Sequence, residues 1–511
     1  MIAAVLAALL QTAPASPAPV ALRRPLDDAY RQALDLLYDG RPERALASLA
    51  RTRQRAPDDP VGPYLESLVA VWRLEQYPPS TAADRDLFRR IDEVSRLADA
   101  ALRKDPKDLR ALLARGAAQG VRSRFHLLRG QRSDAAQAAV RMREDLLKVH
   151  EADPACVDAL FGLGLYDYYA DVLPKLAKVL RFLARMPGGD RERGLARIGS
   201  AGEGSLFHDD EVQAQLYEVY AFYENEPDRA LSEMRGMRRR HPGWPLWALK
   251  LAEHLRDRMG LYAESAAVAR EGVEAGQKGQ VNYQGAAGAL MRISLGESLL
   301  LDLRFADARR ELLLVKDGPA EIAGALLRAR LLLGRALESD GDREGAIAHY
   351  RRAATSADRE VRRGAEDALR TPIPATELEG LSLVAQARRL REAGRRREAA
   401  EAYRRAARVW PESQEARLLA AEDDLLHGNP DDARDAVDDV AGDDEPRPAW
   451  LRSWSRLLKG HLLDLDGERR RAVDEYKKVL KTTYGLAELR ERAEDGVRRP
   501  FRRSASSNNI K

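Results

Sequence analysis

The sequence predicts an all-α solenoid of stacked helix pairs, and three observations carry that prediction. A phrase recurs from end to end: a Gly, an Ala five residues later, and an aromatic or leucine four residues beyond. Gly341, Ala346 and Tyr350 spell it, as do Gly394, Ala399 and Tyr403, then Gly467, Ala472 and Tyr476, and near the start Gly40, Ala45 and Leu49. Apolar residues on both sides of the phrase fall at helical spacing, as Leu333, Leu337, Ala346, Tyr350 and Ala353 do around Gly341. Charged residues make up 32% of the 511 and aromatics 6%, a balance that suits exposed helices better than sheets.

Each element of the phrase has a physical task. The Gly stands where a first helix must end, because a residue without a Cβ takes the left-handed cap conformation at least cost. The Ala lies one turn into the second helix, where a small side chain lets two helices approach closely. The aromatic continues the same buried stripe. Pro57, Pro242 and Pro411, each twelve residues after the small residue (Ala45, Ala230, Ala399), end the second helix.

This pattern resembles the tetratricopeptide repeat, a helix-turn-helix unit of about 34 residues with an early Leu-Gly pair and a late Pro. Leu295-Gly296 and Leu333-Gly334 match the pair, and Ala399 to Ala433 is one period. The resemblance implies a right-handed superhelical solenoid whose first helices line a concave groove. Clear copies cover roughly residues 28–60 and 211–485, while 61–206 holds fragments such as Ala101 with Pro106 and Gly130 with Ala135. The organisation expected is a leader over 1–22, an irregular helical region over 25–206, repeat arrays over 207–370 and 371–499, and a basic tail over 500–511.

A net charge of +4 is too balanced for a general polyanion binder, so nucleic acid is not an expected partner. The charge is unevenly placed: Glu415 to Pro448 carries twelve acids against three arginines, and Ala449 to Arg503 carries fifteen basic residues against nine acids. The two blocks either are solvated faces, or attract one another, or mark a polar docking surface. The lone Cys156 forms no intramolecular disulfide and reads as a buried packing residue.

Ile2 to Leu10 is an apolar run too short to span a bilayer, and Ala13-Pro14-Ala15 after it fits signal-peptidase cleavage. No Lys or Arg precedes the run. An exported protein, periplasmic or extracellular, is expected, or a cytoplasmic one if the signal does not function.

Leu160 to Ile198 departs from the repeat and is the most apolar and aromatic stretch after the leader. Pro174 opens a helix with a basic stripe of Lys175, Lys178, Arg181 and Arg185 beside Phe182, and Pro187-Gly188-Gly189 stops it. The stretch reads either as a hairpin packed into the solenoid or as a helix docking on a membrane surface or partner. Gly189-Asp190-Arg191 and Gly194-Leu195 give it a local likeness to a eukaryotic tetratricopeptide family linked to the mitochondrial outer membrane and inclusion clearance.

Catalytic constellations are missing. The eight histidines show no ligand spacing, Gly199 to Ser205 is glycine-rich but lacks a phosphate-loop ending and reads as a linker, and no nucleophile elbow occurs. No enzyme activity, cofactor or metal is expected. The groove implied by the repeat resemblance would present Tyr30, Leu34 and Tyr38 near the start, Phe222 and Tyr223 in the middle, and Arg335, Arg388 and Arg391 later. The carboxylate clamp of chaperone-binding members needs Lys and Asn at fixed groove positions, where this chain has Leu331 and Val384 with Arg335 and Arg388 instead, and arginine can still meet an acidic segment through paired hydrogen bonds. The expected function is a scaffold binding a protein or peptide in the groove, with no expectation of oligomeric state.

Overall fold

The computed structural model describes residues 24–76, 81, 83–172, 187–202, 204–207, 209–316, 318, 322–443, 448–481 and 487–503. Among them stand 24 α-helices and no strand. The first nine are α1 (Asp27–Tyr38), α2 (Pro42–Arg55), α3 (Val61–Gln76), α4 (Asp84–Lys104), α5 (Leu109–Leu128), α6 (Arg132–Ala152), α7 (Val157–Val172), α8 (Arg191–Ser200) and α9 (Asp209–Phe222). Then come α10 (Pro227–Arg240), α11 (Pro245–Glu253), α12 (Tyr262–Gln277), α13 (Gly285–Leu301), α14 (Phe305–Leu313), α15 (Ala323–Ser339), α16 (Arg343–Ala353) and α17 (Arg359–Arg370). The last are α18 (Ala375–Glu392), α19 (Arg396–Val409), α20 (Gln414–His427), α21 (Asp431–Gly442), α22 (Leu451–Leu465), α23 (Arg469–Leu480) and α24 (Ala487–Arg498).

The recurring phrase is the turn between paired helices. Gly341 (φ 90°), Gly394 (75°) and Gly467 (77°) all hold the left-handed conformation, and at the same place in their own pairs Asn225 (56°) and Leu303 (59°) bear it with a side chain. The Ala that follows is fully buried in most copies, as Ala45, Ala230, Ala308, Ala346 and Ala472 are. Close approach is enforced a second time inside the first helix. A Cβ at Gly334 would fall 2.4 Å from the Tyr350 ring, and one at Gly460 2.3 Å from the Tyr476 ring, so the aromatic of the phrase packs directly on a glycine of its partner helix.

The chain forms two compact units, one of residues up to Val219 with Gly236–Leu246, the other of Tyr220–Arg235 with Trp247 onward. In the first unit the stretch over 61–206, where the phrase is fragmentary, is also built of helices. Several are longer than those of the repeat, as α4, α5 and α6 are, and Gly130 makes a left-handed turn (φ 72°) between α5 and α6. Buried ion pairs bind this unit: the Arg110 guanidinium reaches Asp27 at 2.8 Å and Asp59 at 2.7 Å. Removing one partner from such a cluster costs about 3–5 kcal/mol, because a charge is left buried.

The described ends of the aberrant stretch are packed. The helices α7 and α8 meet so closely that a Cβ at Gly194 would fall 2.5 Å from the backbone nitrogen of Tyr168. Asp167 accepts from Arg193 at 2.8 Å and from Arg197 at 2.6 Å across the same contact. Lys175, Lys178, Arg181, Phe182 and Arg185, the proposed docking stripe, lie outside the described residues, as does the leader over 1–22. The end of the expected glycine-rich linker is pinned rather than free: Asp158 accepts from the Ser205 hydroxyl at 2.7 Å, the Leu206 N–H at 2.9 Å and the Phe207 N–H at 3.3 Å. Burial pushes the Cys156 thiol up to about 12, with Asp158 adding to it, so the group stays protonated and inert.

In the second unit the acidic and basic blocks meet. Lys459 lies 2.8 Å from Asp438 on the preceding helix and Arg492 2.9 Å from Glu422 on a helix further back, so part of the charge segregation is internal pairing.

Candidate protein-binding cleft

Three pairs of the second unit, α15–α16, α18–α19 and α22–α23, align residue for residue on their turn glycine. Seven residues before it stand Gly334, Ala387 and Gly460; three before it stand Glu338, Arg391 and Asp464. Two after it stand Arg343, Arg396 and Arg469, and nine after it Tyr350, Tyr403 and Tyr476. The three copies differ in kind at one of these places: two carry an acid and one an arginine.

Where the acid is present it closes a polar node. Glu338, 3% exposed, accepts from the Tyr350 hydroxyl at 2.7 Å and from the Ile373 N–H at 3.1 Å, and it pairs with Arg343 at 2.7 Å. The Ile373 bond crosses the boundary expected at residue 370. Asp464 repeats the arrangement, accepting from the Tyr476 hydroxyl at 2.8 Å and the Phe501 N–H at 2.8 Å while pairing with Arg469 at 3.0 Å. In both nodes the arginine also donates to carbonyls at the end of the following helix, Ala368 at 2.7 Å and Val497 at 2.9 Å. Every buried polar group of the node has a partner, which is what burial demands.

The middle pair lacks this node. Arg391 turns to Glu422 at 3.1 Å and lies over the Trp454 ring, 4.4 Å from its centroid. The Tyr403 hydroxyl is buried without a hydrogen-bond partner, and Arg396 has no ion-pair partner among the described residues. Burial first, and then Glu415, raise the Tyr403 hydroxyl above its ordinary range, so it remains a donor.

These groups line a cleft of about 730 Å³ whose other walls include Leu419, Leu426, His461, Arg492 and Phe501. The His461 ring stacks on Phe501 at 4.0 Å, 13° from parallel, and its Nδ1 is buried without a partner among the described residues. Burial, helped by Arg492, lowers His461 to about 3, so the imidazole is neutral.

The expected groove residues divide. Tyr30, Leu34 and Tyr38 are 0%, 4% and 2% exposed and belong to the core of the first unit. Tyr38 is drawn inward because its hydroxyl donates to the buried Glu211 at 2.9 Å, an acid that also takes the Trp72 indole N–H and Arg124. Arg388 is sealed as well: two of its nitrogens hold Glu415 at 2.7 and 2.6 Å and a third donates to the Leu301 carbonyl at 2.7 Å. Phe222 and Tyr223 are 44% and 49% exposed, with the Arg258 guanidinium over the Phe222 ring. Arg335 is exposed, one turn before the Glu338 node. Of that set, Arg391 alone lines the cleft. Arg396, Tyr403, His461 and Phe501 were missed, although the odd residue at 391 is visible when the copies are aligned on their glycines.

Comparisons with known proteins come down to the repeat. Residues 384–448, the middle of this region, match the family model for the tetratricopeptide repeat. No curated protein matches the chain significantly. Among solved structures, the P58(IPK) TPR domain is similar at 15% identity and a TM-score of 0.20, the alignment covering 81% of this chain and 99% of that one. Human IFIT1, solved as a dimer with m7Gppp-AAAA, is similar at 13% identity and a TM-score of 0.26, covering 92% and 96%. The same protein with PPP-AAAA gives 13% and 0.24 over the same shares. Likeness at this level transfers no ligand.

Proposed function

We propose that this chain, a tetratricopeptide-repeat protein, is a non-catalytic scaffold that holds a segment of a partner protein in the cleft of its second unit. Repeats of this kind serve as interaction scaffolds because stacked helix pairs offer an extended surface rather than a closed catalytic pocket. The observation that carries the reading is the cleft itself: an opening of about 730 Å³ lined by the apolar Leu419 and Leu426 and by buried polar atoms, Tyr403 Oη and His461 Nδ1, that have no partner among the described residues. Binding sites pair apolar walls with a few such convergent polar groups. The apolar run Ile2–Leu10 with Ala13-Pro14-Ala15 supports a form exported to the cell envelope, and N-terminal sequencing of the protein from its host tests that part.

A photo-cross-linking residue placed at Leu426, on the cleft floor, is expected to capture a discrete partner in living cells. The same residue at the exposed Arg405 serves as the control. The purified partner should then bind the wild-type chain and lose affinity for Arg396→Glu. Equal capture from both positions, or undiminished binding to Arg396→Glu, removes the cleft as the binding site.

A further inference from the structure

We infer that the cleft takes a ligand carboxylate, an Asp or Glu side chain of an acidic partner segment, at the place that Glu338 and Asp464 fill in the sister helix pairs. This rests on the scaffold reading above and names the chemistry of its partner. The three pairs share their donors: a tyrosine hydroxyl nine residues after the turn glycine and an arginine two residues after it. In two pairs these donors converge on a carboxylate of the chain, with the tyrosine at 2.7 and 2.8 Å and the arginine at 2.7 and 3.0 Å. In the third pair the donors are kept and the acid is replaced by Arg391, so Tyr403 Oη and Arg396 have no acceptor among the described residues, and both residues line the cleft.

The electrostatic balance has the same sign. Arg391 and Arg492 share Glu422, at 3.1 and 2.9 Å, and Arg499 is held by Asp495 at 2.6 Å. Two more acids line the cleft, but Asp423 is held by Arg404 at 2.7 Å and Glu488 lies 3.7 Å from Arg492, while Arg396 and Arg502 have no ion-pair partner among the described residues, so the balance of the wall is positive. An anionic group entering there gains a charge-assisted bond from Arg396 and one from Tyr403, and it meets no acid on the α18 side, since position 391 is itself cationic. A second arginine in the acid's place turns an internal node into an external one.

The test uses the full-length chain and a fluorescein-labelled peptide, amidated at its carboxyl end, of sequence Ala-Leu-Glu-Glu-Leu-Ala, beside the same peptide with both Glu replaced by Gln. The Glu peptide is expected to bind at least about tenfold tighter than the Gln peptide. Arg396→Gln and Tyr403→Phe are each expected to weaken the Glu peptide and leave the Gln peptide where it was. Arg391→Glu restores the acid to the node. It is expected to abolish binding of the Glu peptide while raising the urea midpoint of the chain, an outcome that a disrupted fold would not give. Equal binding of the two peptides, or unchanged Glu-peptide binding to Arg391→Glu with the chain folded by circular dichroism, overturns the inference. Competition by free glutarate at the peptide's own affinity overturns the assignment to a peptide carboxylate. The scaffold reading is judged separately: cross-linking from Leu426 that persists when the two peptides bind alike leaves it standing and removes the carboxylate alone.

Discussion

The helix pairs α15–α16 and α18–α19 are built to one plan, yet one is closed and the other open. Both have the left-handed glycine, the buried alanine and the buried tyrosine of the phrase. In the first, Glu338 gathers Tyr350, Arg343 and the Ile373 N–H into a satisfied node. In the second, Arg391 stands in the acid's place and looks outward to Glu422 and Trp454, leaving Tyr403 and Arg396 to the cleft. Reversing the sign of one residue therefore opens a cleft in a repeat protein, since the scaffold around it is specified redundantly by the neighbouring copies. The first unit shows the opposite use of the same residue types: its acid Glu211 collects Tyr38, Trp72 and Arg124 inside the core and leaves nothing for a partner.

The largest effect should come from breaking the closed node. Glu338→Ala leaves the Tyr350 hydroxyl and the Ile373 N–H without their acceptor and Arg343 with backbone carbonyls alone, and it is expected to cost about 3–5 kcal/mol, read as a shift of the urea midpoint of the chain. The same substitution mapped on the middle pair, Arg391→Ala, removes a half-exposed side chain and should cost far less. If the two are equal, the closed-versus-open distinction fails.

The tyrosines sharpen the comparison with an almost isosteric change. Tyr350→Phe loses a hydrogen bond to a buried carboxylate and is expected to destabilise by about 1.5–3 kcal/mol. Tyr403→Phe removes a buried hydroxyl that has no partner among the described residues and is expected to be neutral or slightly stabilising. Thermal melts of the two variants side by side decide the point, and a large loss in Tyr403→Phe would show that this hydroxyl is already satisfied.

Acidity probes the wall of the cleft. His461 is held near 3 in the folded chain against 6.5 for a free imidazole. Between those values the unfolded chain takes up a proton that the folded chain refuses. The stability linked to His461 is therefore whole above about pH 6.5 and falls as the pH drops toward 3. At pH 5 the loss should be about 2 kcal/mol and should be smaller in His461→Phe, as measured by urea titration at pH 7 and pH 5. His241 of the first unit carries the opposite sign. Burial opposes its charge, but Asp210 and Asp39 together raise its pKa, so its contribution is present in acid and is lost as the pH rises through the raised value.

The smallest effect is expected at Arg335. It occupies the same place in its helix as Arg388 and His461 but is exposed, so Arg335→Glu should change stability by less than about 0.5 kcal/mol and leave the Glu-peptide affinity unaltered. A marked loss of peptide binding there would extend the site beyond the middle pair.

Much of the fold was legible because the signals were local and repeated. A turn that needs a left-handed residue, a contact that needs a small one and a stripe that needs an aromatic leave their marks at fixed spacing, so Gly341, Ala346 and Tyr350 announce their roles without the structure. Over 61–206 those marks fade, because α7 and α8 meet through Gly164 and Gly194 and because buried ion pairs such as Arg110 with Asp59 bind the stretch. These contacts join residues far apart in the chain and have no period to read.

By itself the sequence determined the helix pairs, their turns and the donors that every copy of the node carries, since each depends on interactions within a few turns of the chain. Only the tertiary structure decided which arginines and aromatics face a cleft. Tyr38, Arg388 and Arg391 look alike as groove positions, but Tyr38 is claimed by Glu211 and Arg388 by Glu415 and the Leu301 carbonyl, whereas Arg391, though paired with Glu422, lies in the wall of the cleft. Whether a polar side chain is spent inside the fold or offered outside depends on which acid folding brings beside it, and that acid can lie anywhere in the chain.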